Sequence, residues 1–567
     1  MSRLPRPTQL LARAPWLLVP LGLVVLATTL WASALPDAPV THEGQAYVEG
    51  ATRAGRWLRG DPEQPGAMAA WSLHDHHAPL VKLVHGASWA ALSSGRGPFE
   101  AVALGGLACA ALALALTVAI GWRALGPWGG VAAGLLLAGM PRFGATAITA
   151  SAEPVIALAW VALALCFAPA VERRRWAVPA ALALAVAFAA DGQGVFLLVP
   201  LLVYAHVALP AERPTTPLLG GGDDATSPRA GARGLVTMGA WPPHVLLVLA
   251  AGPLIALAAW PLARGDVGKL LVKYLLDPLS AAPEPVLHGG IRWSAAGPDA
   301  PFGASLWWLV EHLPVAVVVL ALGGAAVLAR DVWRWRSRGE RAATVELLLP
   351  TLLGVTVLVL CGTNGTPLYY KGVDRLLPLA PFAALLGALG LVAAVRAVAA
   401  SAPGRRAALM AASIAILAGP GLVQTVQAGA DGVVWAGALG GSAAGAARDG
   451  EQLASDAWLP RPVIAWLAAV PDGESVALLP RRDQMERVVR RLHAEGVLRH
   501  QVRLAAPESA DHLVLLWAPE SPEWPVAAAA VREQRPEHVI TALGVPVASI
   551  YAIAPGAPSD AGNATPR

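Results

Sequence analysis

Two glutamates carry the sharpest chemical signal in this 567-residue chain. Glu43 stands in Thr41-His42-Glu43-Gly44-Gln45-Ala46-Tyr47, and Glu153 in Ser151-Ala152-Glu153-Pro154-Val155-Ile156. A carboxylate in the first setting suits proton abstraction from an acceptor hydroxyl or amine, or the holding of a divalent cation. It is equally compatible with an ordinary exposed loop acid. Glu153 sits where an apolar run begins. An ionisable group at a membrane boundary is costly and therefore a functional candidate, although a helix-start acid favoured by the helix dipole would look the same.

Three further groups invite chemistry. His74, Asp75, His76 and His77 are metal-competent types, but adjacent side chains point apart, so at most two share an ion. A polar loop with one positioning histidine is the other reading. Tyr369, Tyr370, Lys371 and Arg375 precede an apolar run, where phenols and cations suit a lipid phosphate or an interfacial anchor. His288, Arg292 and Trp293 share that ambiguity. Lys82, in His77-Ala78-Pro79-Leu80-Val81-Lys82-Leu83, is a lone cation beside an apolar helix.

These residues must be positioned largely by membrane. The chain is 56% hydrophobic and 14% charged, with mean hydropathy +0.54, whereas soluble domains run nearer about 25% charged. A helix needs roughly 20 apolar residues to span the hydrocarbon. About eleven segments qualify by that measure, near 15–35, 99–121, 125–141, 148–169, 176–190, 193–210, 243–263, 305–329, 345–362, 376–399 and 407–427. The positive-inside rule orients them with the N-terminus inside. Arg123, Arg173 to Arg175, Arg330 to Arg341, Arg396, Arg405 and Arg406 then all fall on inward ends. Arg264, Lys269 and Lys273 are outward, beside Leu270, Leu271, Tyr274 and Leu275, a pattern that predicts an interfacial amphipathic helix.

The expected organisation is an all-α polytopic membrane domain over 1–427, with a first outer loop at 36–98 and an inward, cytoplasmic insertion of loop composition at 210–240. A small C-terminal α/β domain is expected over 428–555 on the outer side. Its predicted strands are Ser475–Leu479 and His512–Trp517, and its predicted helix is Arg482–Glu495. Residues 556–567 have disordered composition. All but four of the 42 basic residues are Arg, and Ala, Gly and Pro abound. That composition fits a GC-rich bacterial genome, so the expected location is a bacterial inner membrane, with the C-terminal domain periplasmic.

Some classes are excluded. The formal net charge is only +4, and no basic patch interleaved with aromatics points to nucleic acid. Cys109, Cys166 and Cys361 lie in apolar runs without metal spacing and read as small apolar residues. No phosphate-binding loop, dinucleotide fingerprint or nucleophile elbow is present.

The order of these features resembles the GT-C glycosyltransferases, specifically the superfamily of dolichyl-phosphate-mannose protein mannosyltransferases and aminoarabinose transferases. That family opens with one span, then an outer loop with Asp-Glu followed by Tyr, matched here by His42-Glu43 and Tyr47. Its His-Pro-Pro-Leu-x-Lys-Leu pattern is similar to His77 through Leu83. Its second-loop Pro, aromatic and Asp correspond to Pro141, Phe143 and Glu153, and its Arg-Tyr-x-Leu-Pro-x-x-Pro segment resembles Arg375 through Pro381. A Gly-Gly-x-x-Gly-Ala stretch opening the outer domain is similar to Gly440 through Ala446, with Glu451 and Trp458 beyond.

The resemblance implies an inverting transferase that takes a sugar from a polyprenyl-phosphate donor to a protein or lipid acceptor on the outer face. Glu43, Glu153 and His42 would be the catalytic group, with His42 standing where the family has its first acid. Lys82, Tyr370, Lys371 and Arg375 would meet the donor phosphate. Glu43, His76 and His77 would hold a divalent cation such as Mg, Mn or Zn. The departure at His42 leaves open a catalytically impaired scaffold of the same fold. A transporter or flippase would show mid-span ionisable residues, broken helices and two-fold internal symmetry; here the acids lie at span ends and no repeat appears.

Overall fold

The computed structural model describes residues 7–61, 79–208, 241–260, 286–293, 303–338, 342–362, 373–401, 403–454, 458–480, 482–498, 502–519, 521 and 523–553. After helix α1 (Pro7–Ser33), the first outer loop supplies strand β1 (Val40–Thr41) and helices α2 (His42–Leu58) and α3 (Pro79–Leu92). The bundle continues through α4 (Pro98–Leu125), α5 (Pro127–Ala138), α6 (Pro141–Ala147), α7 (Glu153–Glu172), α8 (Ala177–Ala190), α9 (Leu198–Ala208) and α10 (Pro243–Ala259). After a hairpin of β2 (Val286–His288) and β3 (Ile291–Trp293) come α11 (Ala304–Glu311), α12 (Val315–Arg338), α13 (Leu348–Gly362), α14 (Ala380–Val398) and α15 (Arg406–Ala428).

Apolar helices occupy all eleven segments expected to span, and among the described residues six stretches are long and apolar enough to cross a bilayer unaided. Their outward faces carry bare aliphatic side chains: Val178 and Leu322 are each 69% exposed and Ile416 70%. Water would not tolerate such a belt, but lipid does. Small residues let the helices approach closely, as expected where no hydrophobic effect drives helix to helix. At the crossing of α12 and α14, any Cβ on Gly324 or Gly390 would run into the backbone carbonyls of Leu386 and Leu320. The turn between α4 and α5 is built by Gly126 at φ +86°, which a side chain would strain, and by Pro127 at the first helical position.

One expected span differs. The apolar run 305–329 is broken at His312–Pro314, so α11 is a separate short helix and the long one starts at Val315. Pro314 cannot continue the ladder, and the backbone carbonyl of Glu311 is taken by Gly437 N–H at 2.7 Å. Glu311 and His312 therefore face the C-terminal region rather than lipid.

Helix α4 fixes the polarity of the bundle. Its 28 residues extend about 42 Å at 1.5 Å per residue. At its far end Arg123 pairs with Glu346, and Arg396 reaches the Leu125 carbonyl, so arginines that the charge rule placed together do meet there. Its near end lies against the first outer loop.

Beyond α15, residues 429–454 lead through helix α16 (Ser442–Arg448) into strand β4 (Trp458–Leu459), helix α17 (Arg461–Leu467) and a five-stranded sheet. The strands are β5 (Ser475–Leu479), β6 (Arg503–Leu504), β7 (His512–Leu516), β8 (His538–Ala542) and β9 (Val545–Ala552), in the order β6-β5-β7-β9-β8. Strand β5 is parallel to β6 and β7, and β9 is antiparallel to β7 and β8. Helix α18 (Arg482–Ala494) covers one face with Met485, Val488, Val489 and Leu492. The predicted strands at 475 and 512 and the predicted helix at 482 stand as expected. Val40 of the first outer loop is buried in this same core, because β1 pairs with β4, Val40 opposite Leu459 and Thr41 opposite Trp458. The interfacial helix expected near 264–275 and the insertion at 210–240 lie outside the described residues.

Candidate functional site

The first wall of the site is the N-terminus of α2. Thr41 is extended, held by β4, and its Oγ1 accepts from the Gly44 N–H at 2.8 Å, an N-cap that starts the helix one residue before Glu43. Glu43 thus lies in the first turn, where the helix dipole favours a carboxylate. One turn on, the Tyr47 hydroxyl donates to Glu43 Oε1 at 3.2 Å. Gly44 is needed for closeness: a Cβ there would lie 2.6 Å from Thr41 Oγ1 and 3.1 Å from the Ala150 carbonyl oxygen. The helix is amphipathic, with Tyr47 and Ala51 buried, although Trp57 and Leu58 at its end are exposed.

The second wall is the loop from α6 to α7. Its hydroxyls are turned into the backbone: Thr146 donates to the Arg142 carbonyl, while Thr149 and Ser151 donate to that of Thr146. This fastens a tight turn that delivers Glu153, 6% exposed, as the first residue of α7. Glu43 and Glu153 line one open cleft of about 520 Å³, with Tyr47 and Thr149 between them and Ala454 and Trp458 from the C-terminal region closing it. Three chain segments, each remote in sequence, therefore build one cleft.

Behind it lies His85 of α3, wholly buried. Its Nδ1 faces the Val102 carbonyl at 3.1 Å and its Nε2 that of Ser151 at 2.9 Å. The Tyr47 ring is 6.0 Å away. A neutral imidazole has one N–H and satisfies one carbonyl; both are satisfied only by the imidazolium. Burial pushes the pKa down against the pull of the two carbonyls.

The remaining expected residues are placed as follows. His42 opens α2, half-buried, and does not line the cleft. Lys82 is 4% exposed, its alkyl stem packed near Gly50, and it too is absent from the cleft lining. His76, His77, Tyr370 and Lys371, like the side chain of Arg375, lie outside the described residues. The backbone of Arg375 belongs to a 3-10 turn, Val373–Leu379, leading into α14. Among the described residues no group of three or more His, Cys, Asp or Glu has a metal-holding arrangement. Cys109 and Cys166 are free thiols within helices.

A second polar cluster, singled out by nothing but His288, Arg292 and Glu451 in the sequence, joins the hairpin to the C-terminal region. Glu451 accepts from Gly289 N–H at 2.9 Å and lies 2.8 Å from His288 Nδ1; this pairing holds the His288 pKa above its ordinary value. Arg292 donates to the Ser521 carbonyl. Arg142, 1% exposed, donates to the Leu453 carbonyl at 2.7 Å. Glu311 is 2% exposed, packed over Gly440. Burial, then the neighbouring Glu451 charge, pushes it up to about 7. Next to it, His312 is driven down to about 3 by burial and the Arg142 charge.

The bundle, its long first loop with Glu43 and the sheet region packed against it define the class: a polytopic α-helical membrane protein with a small C-terminal α/β region. Residues 76–216 match the family of dolichyl-phosphate-mannose-protein mannosyltransferases, the family to which the motifs pointed. No curated protein sequence matches the chain significantly. Among solved structures, the chain is similar to ArnT from Cupriavidus metallidurans bound to undecaprenyl phosphate, at 13% identity and TM-score 0.46 over 94% of this chain and 97% of that one. It is also similar to the Archaeoglobus fulgidus oligosaccharyltransferase in complex with Zn and sulfate, at 13% identity and TM-score 0.45 over 89% and 69%. The archaeal enzyme AglB from the same organism, in complex with an inhibitory peptide and a dolichol-phosphate, gives 13% and 0.43 over 90% and 72%.

Proposed function

We propose that the protein is an inverting membrane glycosyltransferase. It takes a sugar from a polyprenyl-phosphate carrier and passes it to a hydroxyl or amine of a protein or lipid acceptor on the periplasmic face of a bacterial inner membrane. The observation that carries this reading is that Glu43 and Glu153, delivered by two different outer loops, line one cleft under the C-terminal domain. One carboxylate takes the acceptor proton as the acceptor atom attacks the anomeric carbon. The bond from that carbon to the phosphate oxygen breaks, its electron pair leaving with the phosphate. A single displacement of this kind inverts the anomeric centre. Lys82, Tyr370, Lys371 and Arg375 are the candidates for stabilising the departing phosphate, and the domain over the cleft is the candidate for acceptor recognition. His42, at the start of α2, takes no step in this scheme; it helps place Glu43.

The cleft fits a divalent ion in one respect. Its described donors are all oxygens, two of them carboxylates, which suits a hard cation such as Mg or Mn better than Zn. Glu43 and Glu153 would hold it, and His76 and His77 would complete a softer set. Such an ion, when bound, supplies counter-charge to the leaving phosphate.

The test is consumption of a panel of polyprenyl-phosphate sugars by the purified chain and by Glu43→Gln and Glu153→Gln, with and without chelator. Turnover by the wild type and its loss in either folded variant supports the reading. A folded wild type inert towards every donor sinks it, and binding of carrier lipid without turnover would instead make the chain a scaffold of this fold.

A further inference from the structure

We propose that His85 is a positioning residue for this transfer, registering both carboxylate-bearing walls of the cleft against helix α4; this rests on the reading just given. The Ser151 carbonyl lies outside the hydrogen-bond ladder of α7, whose first carbonyl acceptor is Ala152. Its recorded partner is His85 Nε2, contributed from a residue 66 positions away. Ser151 is two residues before Glu153, so whatever holds this carbonyl sets where α7 begins and where the Glu153 side chain enters the cleft.

The same ring is anchored on the other side. Nδ1 faces the Val102 carbonyl of α4, and the ring packs beside Gly105 and Gly106 of that helix, where a Cβ would lie 3.4 Å from Nδ1 and 3.8 Å from Cε1, within ordinary contact distance. On its third side the imidazole meets Tyr47, whose hydroxyl is spent on Glu43. One buried ring thus touches the element that carries Glu153 and the residue that orients Glu43.

The two nitrogens have distinguishable duties, and amide side chains separate them. Gln places its terminal N–H₂ near the Nε2 position and can still donate to Ser151. Asn reaches only as far as Nδ1, towards Val102. Both keep a polar group of similar bulk in the slot. The experiment compares the full-length wild type with His85→Gln and His85→Asn, by donor-consumption kinetics and by hydrogen–deuterium exchange over residues 146–156. With Glu153 displaced by about an ångström, His85→Asn is expected to lose about 100-fold in kcat. The donor KM changes by less than about 3-fold, because ground-state binding is untouched. Exchange at residues 150–153 accelerates in the Asn variant. His85→Gln keeps slow exchange and stays within about 10-fold of wild-type kcat. If Asn and Gln behave alike in both readouts, or Gln is the worse, the positioning role is overturned. If the wild type transfers nothing, the failure belongs to the proposed reaction, and the exchange comparison decides the role of His85 by itself.

Discussion

The cleft at Glu43 and the junction at Glu311 draw on the same kinds of side chain, carboxylates with a histidine close by, and both are roofed by the stretch from Gly437 to Trp458. They are built in opposite ways. In the cleft, Glu43 has a phenol on one oxygen and an open volume before it. At the junction, Glu311 is sealed, and its Oε2 has no hydrogen-bond partner among the described residues. A buried carboxyl without a partner is held in its protonated form by desolvation, and Glu311 is pushed to about 7. A strongly shifted acid in a membrane enzyme invites a catalytic role. Here the access is wrong for it: Glu311 packs over Gly440, away from the residues that line the cleft. The lesson is that the open volume locates chemistry, while the shifted pKa locates a seam between parts of the chain.

The sharpest way to break this contrast is to exchange the outcomes. Glu43→Gln is expected to cut transfer by about 10²- to 10⁴-fold, the usual worth of a positioned acid or base, with little change in thermal midpoint. Glu311→Gln should leave kcat within about 2-fold, since a neutral amide resembles the protonated carboxyl already present. Loss of turnover from Glu311→Gln in a folded protein would mean that the junction, not the cleft, holds the chemistry.

Next in size is Arg142, which belongs to both regions: its backbone anchors Thr146 of the cleft wall, and its guanidinium holds the Leu453 carbonyl of the roof. Arg142→Met fills the space but leaves that buried carbonyl unpaired. The expected cost is about 2 kcal/mol of stability, read as a lower thermal midpoint, with turnover in the surviving folded fraction falling less than for Glu43→Gln. An unchanged midpoint would remove Arg142 as the tie between the regions.

Much of this was legible from sequence, and what escaped did so for a physical reason. The spans are visible because lipid demands unbroken apolar runs. Glu43 and Glu153 stood out by position, at the edges of apolar runs. His85 stayed hidden within Leu80-Val81-Lys82-Leu83-Val84-His85-Gly86, since its partners are carbonyls 17 and 66 residues away that carry no side-chain signature. Arg142 stands in a short polar break between two apolar runs, yet it is buried. The break at 312–314 was masked because hydropathy averages across Glu311-His312-Leu313-Pro314, although those four residues contain both a charge and a proline.

The pH dependence of the junction is the next consequence. The ordinary value for Glu311 is 4.5 and the folded value about 7, so the folded chain binds this proton more tightly than the unfolded one. Its contribution to stability is therefore fully present below about 4.5 and is lost as pH rises through about 7. His288, raised by its hydrogen bond to Glu451, acts in the same direction. His312, held down at about 3 from its ordinary 6.5, acts in the opposite direction up to that value, so the Glu311 share is read as a difference: between pH 5 and pH 8 the thermal midpoint of the wild type should fall relative to that of Glu311→Gln. An equal slope in both proteins would show that Glu311 is already ionised and solvated.

The smallest effect separates the two regions most finely. Tyr47→Phe removes one hydroxyl, which donates to Glu43 Oε1 at 3.2 Å, and keeps the ring that packs near His85. A hydrogen bond to a charged group is worth about 1.5–3 kcal/mol when buried, but at the rim of an open cleft water replaces most of it, leaving about 1 kcal/mol. Its loss should lower kcat by about 5-fold. The junction should not respond, so the slope of stability against pH stays as in the wild type. If kcat is unchanged, the phenol does not orient the reacting carboxylate, and the base of the reaction is better sought at Glu153.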